Sequence, residues 1–210
     1  MILYRTVSDP AEKKEKSGKL ICGIDEAGRG PLAGPVCAAA VILNREFPRY
    51  LLNDSKKLSP ARRDELQRKI CVEAIAWGVG WASHTEIDSI NILKASLLAM
   101  KRAFDEMMKK AVAKKILTYA NMEAIIDGLH VPDIEIPCRA IVKADAKFPE
   151  VMAASILAKT ERDTYMNEMA KLYPQYGYDK HKGYPTQAHR EAVLKYGPSP
   201  IQRLTFKVEV

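Results

Sequence analysis

Two short runs of β-branched and small apolar residues, Leu20–Asp25 and Val36–Leu43, are divided by the Gly- and Pro-rich stretch Ala27–Pro35. This pattern commits the front of the chain to two strands joined by a loop, because glycine and proline break regular structure and the flanking side chains suit a pleated, buried surface. It also puts the acids Asp25 and Glu26 at the end of the first strand.

The rest of the chain extends the pattern. Ser59-Pro60 supplies a cap and a proline for the first turn of a helix reaching about Cys71. Glu73–Ser83 reads as a strand. Apolar residues recur at spacings of three and four from Ile90 to about Val112, the period of a long amphipathic helix. Glu123–Asp127 and Cys138–Val142 read as strands that run into Asp127 and toward Asp145. Phe148–Leu172 and Pro185–Lys195 read as helices, stopped by Tyr173-Pro174 and Gly197-Pro198. The order is β-β-α-β-α-β-β-α-α, a mixed α/β chain whose sheet is covered by helices.

With 210 residues, 47% of them hydrophobic and 28% charged, the chain can bury a single core. No run approaches the roughly eighteen apolar residues needed to span a bilayer. The polar leader, residues 1–18, lacks the apolar stretch of a signal peptide, so the expected location is the cytoplasm. Cys22, Cys37, Cys71 and Cys138 form no C-x-x-C and read as reduced, buried thiols. The formal net charge of +7 favours a polyanionic partner, since Lys and Arg at phosphates release condensed counterions.

Asp25-Glu26, Asp127 and Asp145 all fall at or near the C-terminal ends of strands, where open α/β sheets place their sites. Four acids brought together repel one another unless cations join them. Mg2+ or Mn2+ suits such a set: both are hard, oxygen-seeking ions, and a pair about 3.5–4 Å apart can activate water and stabilise a leaving oxygen in phosphoryl chemistry.

The segments IDEAGRGPLAGPV at 24–36, DSKKLS at 54–59, EIDSINIL at 86–93, IIDG at 125–128, KADAKFPEVMAASILAKTERD at 143–163 and HKGYPT at 181–186 resemble bacterial ribonuclease HII in order and spacing. The resemblance runs from about residue 19 to 205. It implies a ribonuclease-H-like mixed five-stranded sheet flanked by helices over residues 19–175, then a small helical segment, 176–210. It implies that Asp25, Glu26, Asp127 and Asp145 are catalytic and bind two divalent ions. Gly28, Arg29 and Gly30 match the family's substrate loop, and Tyr184 matches its tyrosine at the scissile ribonucleotide. The implied activity is endonucleolytic cutting of the RNA strand of RNA–DNA hybrids and cutting 5′ of single ribonucleotides embedded in duplex DNA, leaving 3′-hydroxyl and 5′-phosphate ends.

Physical chemistry makes the substrate loop reasonable. Glycines let backbone approach a sugar, and their amides can bond the 2′-hydroxyl that separates RNA from DNA. Tyr184 can stack on the adjacent deoxyribose. Ser155, Lys159 and Arg162 recur at i, i+4 and i+7 and share one helix face, so they are expected at successive phosphates, together with Lys56, Lys143 and Lys182. The C-terminal segment is expected to close as a flap over a duplex groove, in a monomer.

Three rival readings fit the sequence less well. Gly28-x-Gly30-x-x-Ala33 formally fits a dinucleotide-binding fingerprint, but Pro31 and Pro35 interrupt the helix start it needs and a strand follows where a helix should. A binding protein without cleavage activity would gain nothing from four acids facing a phosphate backbone. Type 3 ribonucleases H carry an additional N-terminal domain, so type 2 is the expected kind.

Overall fold

A computed structural model describes residues 19–53, 55, 58–113 and 118–208. Its five strands are β1 (Leu20–Ala27), β2 (Val36–Ile42), β3 (Ala76–Ala82), β4 (Met122–Asp127) and β5 (Cys138–Ile141). They form one sheet in the order β3-β2-β1-β4-β5. β3, β2 and β1 pair antiparallel, while β1, β4 and β5 run parallel. The mixed five-stranded sheet expected from the sequence is present, and helices cover both of its faces.

Alternation along the strands decides which helix covers which face. Val36, Ala38, Ala40 and Ile42 of β2 join Cys22 and Ile24 of β1 in a core under α2 (His84–Ala113), while Cys37, Ala39 and Val41 face α1 (Pro60–Glu73) and α3 (Pro149–Leu172). β2 is buried on both sides, which is why it reads as an unbroken apolar run. In β3 the pattern Trp-Gly-Val-Gly-Trp has a steric meaning. Gly78 and Gly80 stand opposite Ala40 and Ala38, and a Cβ on either would collide with α2 backbone at Ala99–Met107. The small residues thus let the helix axis approach the sheet. Gly23 of β1 does the same on the other face, where a Cβ would overlap the main chain of Glu150 and Val151 at the start of α3.

α2 starts at His84, six residues before the point where its apolar periodicity becomes readable. Ser83 and Glu86 form a reciprocal cap: Ser83 N donates to Glu86 Oε2 at 2.8 Å, and Glu86 N donates to Ser83 Oγ at 3.1 Å. Asn91, with φ 67° and ψ 165°, then interrupts the helix, and its Oδ1 accepts from Lys94 N at 3.1 Å to restart it. α1 runs on to Glu73, which shortens the strand expected over 73–83 to Ala76–Ala82.

Beyond α3 come α4 (Tyr178–His181) and α5 (Gln187–Tyr196), the latter capped by Thr186, which accepts from His189 N. Tyr176, Tyr178, Ala192 and Ile201 bury themselves with Met166 and Ala170 of α3 and with Ala33 of the β1–β2 loop. Main-chain bonds reinforce this contact: Leu32 N donates to Gly183 O and Gly34 N to Ile201 O, each at 2.8 Å. The C-terminal segment and the Gly28–Pro35 loop therefore share a core. Asp88, from the EIDSINIL segment, holds the tail by accepting from the main-chain N–H groups of Leu204 and Thr205 at 2.9 and 3.0 Å. Among the described residues no helix is long and apolar enough to cross a membrane.

Candidate metal centre and duplex-reading loop

β1 and β4 are neighbouring parallel strands in the register Ile24 to Ile126, so the next residues, Asp25 and Asp127, emerge side by side. Asp145 reaches the same place from the single 3-10 turn Ala144–Ala146 after β5. Lys143, left-handed at φ 58°, makes that turn possible, and Asp127 Oδ1 fixes it by accepting from Ala144 N at 2.7 Å. One carboxylate oxygen from each of Asp25, Asp127 and Asp145 lies within 4.8 Å of the others.

Asp25 is buried, and burial pushes its carboxyl well above the usual range; the charges of Glu26 and Asp127 push the same way, while a hydrogen bond from Ser155 opposes them. A group of oxygens in this state is short of positive charge. A divalent cation fits the donor set, which is all oxygen.

Glu26 stands apart from the three. It follows Asp25 directly in β1; its carboxylate is not among the three clustered oxygens, but its charge raises the Asp25 pKa. It pairs with Arg29 at 3.3 Å, leaving Oε2 buried without a hydrogen-bond partner. Burial raises its own pKa, Arg29 acts against the rise, and the charge of Asp127 adds to it. The expected four-acid set is thus three clustered carboxylates with a fourth beside them.

The substrate-loop candidates do meet. Gly28 has φ +100°, and a Cβ on Gly30 would lie 3.6 Å from Cε1 of Tyr184, whose side chain is 42% exposed. Arg29 is exposed.

The basic and polar candidates divide. Lys143 is exposed near the acids. Lys159 is paired with Asp163 at 2.7 Å, and Lys182 Nζ donates to Asn167 Oδ1 at 2.7 Å and to the Asp179 carbonyl. Lys56 lies outside the described residues, as does the leader 1–18. Ser155 and Arg162 require correction as phosphate contacts. Their shared helix face looks inward: Ser155 is buried against Ser55 at 2.9 Å beside Asp25, and Arg162, 1% exposed, spends its guanidinium on the carbonyls of Ala33, Pro35 and Lys182. Arg203, fully buried beneath the same loop, was not singled out from the sequence, where a lone arginine in a basic segment carries no signal.

The ribonuclease HII family model matches residues 22–209. The chain belongs to the ribonuclease HII family. It is 51% identical over 187 residues to ribonuclease HII of Dechloromonas aromatica, spanning 89% of this chain and 90% of that one. It is 50% identical over 196 residues to ribonuclease HII of Treponema denticola, spanning 90% and 99%. Among solved structures, ribonuclease H2 from Pyrococcus horikoshii superposes with a TM-score of 0.67 at 26% identity, covering 90% of this chain and 94% of that one. Ribonuclease HII from Archaeoglobus fulgidus, solved in complex with PCNA, gives 0.64 at 27% identity, covering 91% and 96%. Membership makes the chain a ribonuclease H, a hydrolase that cuts internally, and assigns the carboxylate cluster to a metal-binding nuclease.

Proposed function

We propose that this ribonuclease HII uses Asp25, Asp127 and Asp145 to hold a divalent cation, Mg2+ or Mn2+, with Glu26 completing a second position, and that it hydrolyses the RNA strand of a duplex 5′ of a ribonucleotide. The observation that carries the reading is the convergence of three carboxylate oxygens within 4.8 Å, two from the parallel strands β1 and β4 and one from the turn after β5. Bound there, two such ions supply a water of lowered pKa and charge stabilisation for the leaving 3′-oxygen, so the products carry 3′-hydroxyl and 5′-phosphate ends. The chain's own groups do the positioning: Ser155 orients Asp25 and the Ala144 amide orients Asp127.

Recognition falls to the Gly28–Gly30 loop and Tyr184. The main-chain N–H groups of Gly28, Arg29 and Gly30 donate to nothing among the described residues, which leaves them for a sugar 2′-hydroxyl or a phosphate. Tyr184 beside Gly30 offers a ring to the neighbouring deoxyribose. The substrates are RNA–DNA hybrids and DNA duplexes with embedded ribonucleotides, met by a monomer in the cytoplasm. Lys143, exposed next to Asp145, and the paired Lys159 and Lys182 are the phosphate contacts. The test is a nicking assay on a duplex with one ribonucleotide, comparing the wild type with Asp127→Asn; near-normal turnover by the variant would remove the site.

A further inference from the structure

Among the described residues, Arg162 of α3 and Arg203 of the C-terminal segment are the two largest fully buried side chains, and neither forms an ion pair. Every hydrogen bond from their guanidinium groups goes to main-chain carbonyls. Arg203 donates from Nε to Gly34 at 2.8 Å, from Nη1 to Arg29 at 2.9 Å, and from Nη2 to Gly28 at 2.6 Å and Pro35 at 3.3 Å. Arg162 donates from Nε to Pro35 at 3.0 Å, from Nη1 to Lys182 at 3.0 Å and from Nη2 to Ala33 at 3.2 Å. Burial lowers the pKa of both, that of Arg203 to about 9.

Burying two like charges without acids is unfavourable, and an apolar pair of similar volume would fill the space at lower cost. What an apolar pair could not do is hold the loop. With the carbonyls of Gly28 and Arg29 held by Arg203, the amides of Gly28–Gly30, which have no main-chain hydrogen-bond partner among the described residues, are fixed in place without being consumed. Arg162 then ties that loop to Lys182, two residues before Tyr184, and Leu32 N to Gly183 O doubles the tie. Gly28 and Gly183 fit the clamp sterically: a Cβ on Gly28 would overlap the Arg162 side chain, and one on Gly183 would lie 2.6 Å from Ala33 O.

We infer that Arg162 and Arg203 are positioning residues for ribonucleotide selection, a two-guanidinium clamp that never touches the duplex but fixes the Gly28–Gly30 amides and Tyr184 in one frame. The inference rests on the substrate loop proposed above. A continuous hybrid presents the loop with a 2′-hydroxyl at every step, whereas a lone ribonucleotide demands that amides and tyrosine straddle one junction. Loosening the clamp therefore penalises the lone ribonucleotide more.

The test compares kcat and KM of wild type, Arg162→Lys, Arg203→Lys and Met107→Ala on a DNA duplex with one ribonucleotide and on a continuous RNA–DNA hybrid. Lysine keeps a donating nitrogen on a stem of similar length but not the fork of donors. Each arginine variant should lose about tenfold or more in kcat on the single ribonucleotide, with KM changed by less than about threefold and a smaller loss on the hybrid. Met107→Ala, a core cavity in α2 far along the chain from the loop, should lower stability and keep the ratio of the two rates. An unchanged ratio in the arginine variants, or an equal fall in Met107→Ala, overturns the clamp. Amide hydrogen exchange decides independently of turnover: in Arg203→Lys the Leu32, Gly34 and Tyr184 amides should lose protection together, and unchanged protection overturns the clamp even if the variant cuts poorly. A wild type that cuts neither substrate removes the proposed function, and the exchange measurement then still tests the clamp.

Discussion

Asp127 accepts the main-chain N–H of Ala144 at 2.7 Å, and this bond holds the turn that delivers Asp145 to the carboxylate cluster. One side chain thus serves as a candidate metal ligand and as the anchor for another. The two duties separate by substitution. Asp127→Asn keeps a carbonyl oxygen for the Ala144 amide and loses only the charge, so cleavage should fall by at least about a hundredfold, the scale seen when a positioned electrostatic group is removed, with little change in Tm. Asp127→Ala should lose cleavage and also about 1–3 kcal/mol of stability, because a part-buried amide is left unbonded. Urea titration of the three proteins, with nicking rates, checks both.

Metal should stabilise the fold. The Asp25 carboxyl is raised by burial and by its acidic neighbours, so its protonated form is the one favoured by folding. The stability it contributes is fully present below the ordinary carboxylate pKa and is lost as pH rises through the raised folded value. At neutral pH the metal-free protein therefore bears a penalty. Asp25→Asn should raise the Tm of the protein in EDTA at pH 7 and blunt the further rise that Mg2+ or Mn2+ produces in the wild type. A Tm in EDTA lowered by the substitution would contradict this.

A different pH dependence belongs to the Tyr184 segment. His181 and His189 stack with ring centroids 4.6 Å apart, and His189 Nδ1 bonds Tyr184 O at 3.0 Å. Burial lowers both pKa values from the ordinary 6.5. The unfolded chain takes up protons near that value and the folded chain resists them, so stability is full above about pH 6.5 and declines as pH falls from there through the lowered folded values. Urea midpoints measured from pH 8 to pH 5 should fall, and His189→Gln should flatten the slope.

Gly23→Ala should be among the most damaging single-methyl changes, since its Cβ would overlap Glu150 and Val151 and lift α3 from β1. The expected cost is about 3 kcal/mol or more, at or beyond the top of the range for overpacking. Gly128→Ala meets nothing within 4 Å and carries only the strain of φ +117°, so about 1–3 kcal/mol is expected. Paired denaturation curves rank the two.

The sheet was readable because β1 and β2 announce themselves as apolar runs around a Gly/Pro loop, and the acids at strand ends followed from strand direction. The start of α2 was hidden because its first turns rest on the Ser83–Glu86 cap and break at Asn91, neither of which alters apolar periodicity. Helical spacing groups Ser155, Lys159 and Arg162 on a face but carries no information on which of them meets solvent or core; packing against Ser55 and the Gly28–Pro35 loop buries Ser155 and Arg162. Glu26 is expected at the site from its place at a strand end and from the family resemblance; that its carboxylate lies beside the three clustered oxygens is set by local geometry and its pairing with Arg29, which the sequence does not display. The role of Arg203 depends on contacts more than 160 positions away in sequence, such as Arg203 Nε to Gly34 O, which no local pattern encodes.

The central claim is that carboxylate-held metal cuts the RNA-containing strand. End analysis of a DNA duplex with one ribonucleotide, incubated with the protein in Mg2+ or Mn2+ and in EDTA, addresses it most directly. The account predicts a single nick 5′ of the ribonucleotide with 3′-hydroxyl and 5′-phosphate ends, and no product in EDTA. Cutting that persists in EDTA, or ends bearing a 2′,3′-cyclic phosphate and a 5′-hydroxyl, would contradict it, since both are signs of attack by the neighbouring 2′-hydroxyl without metal.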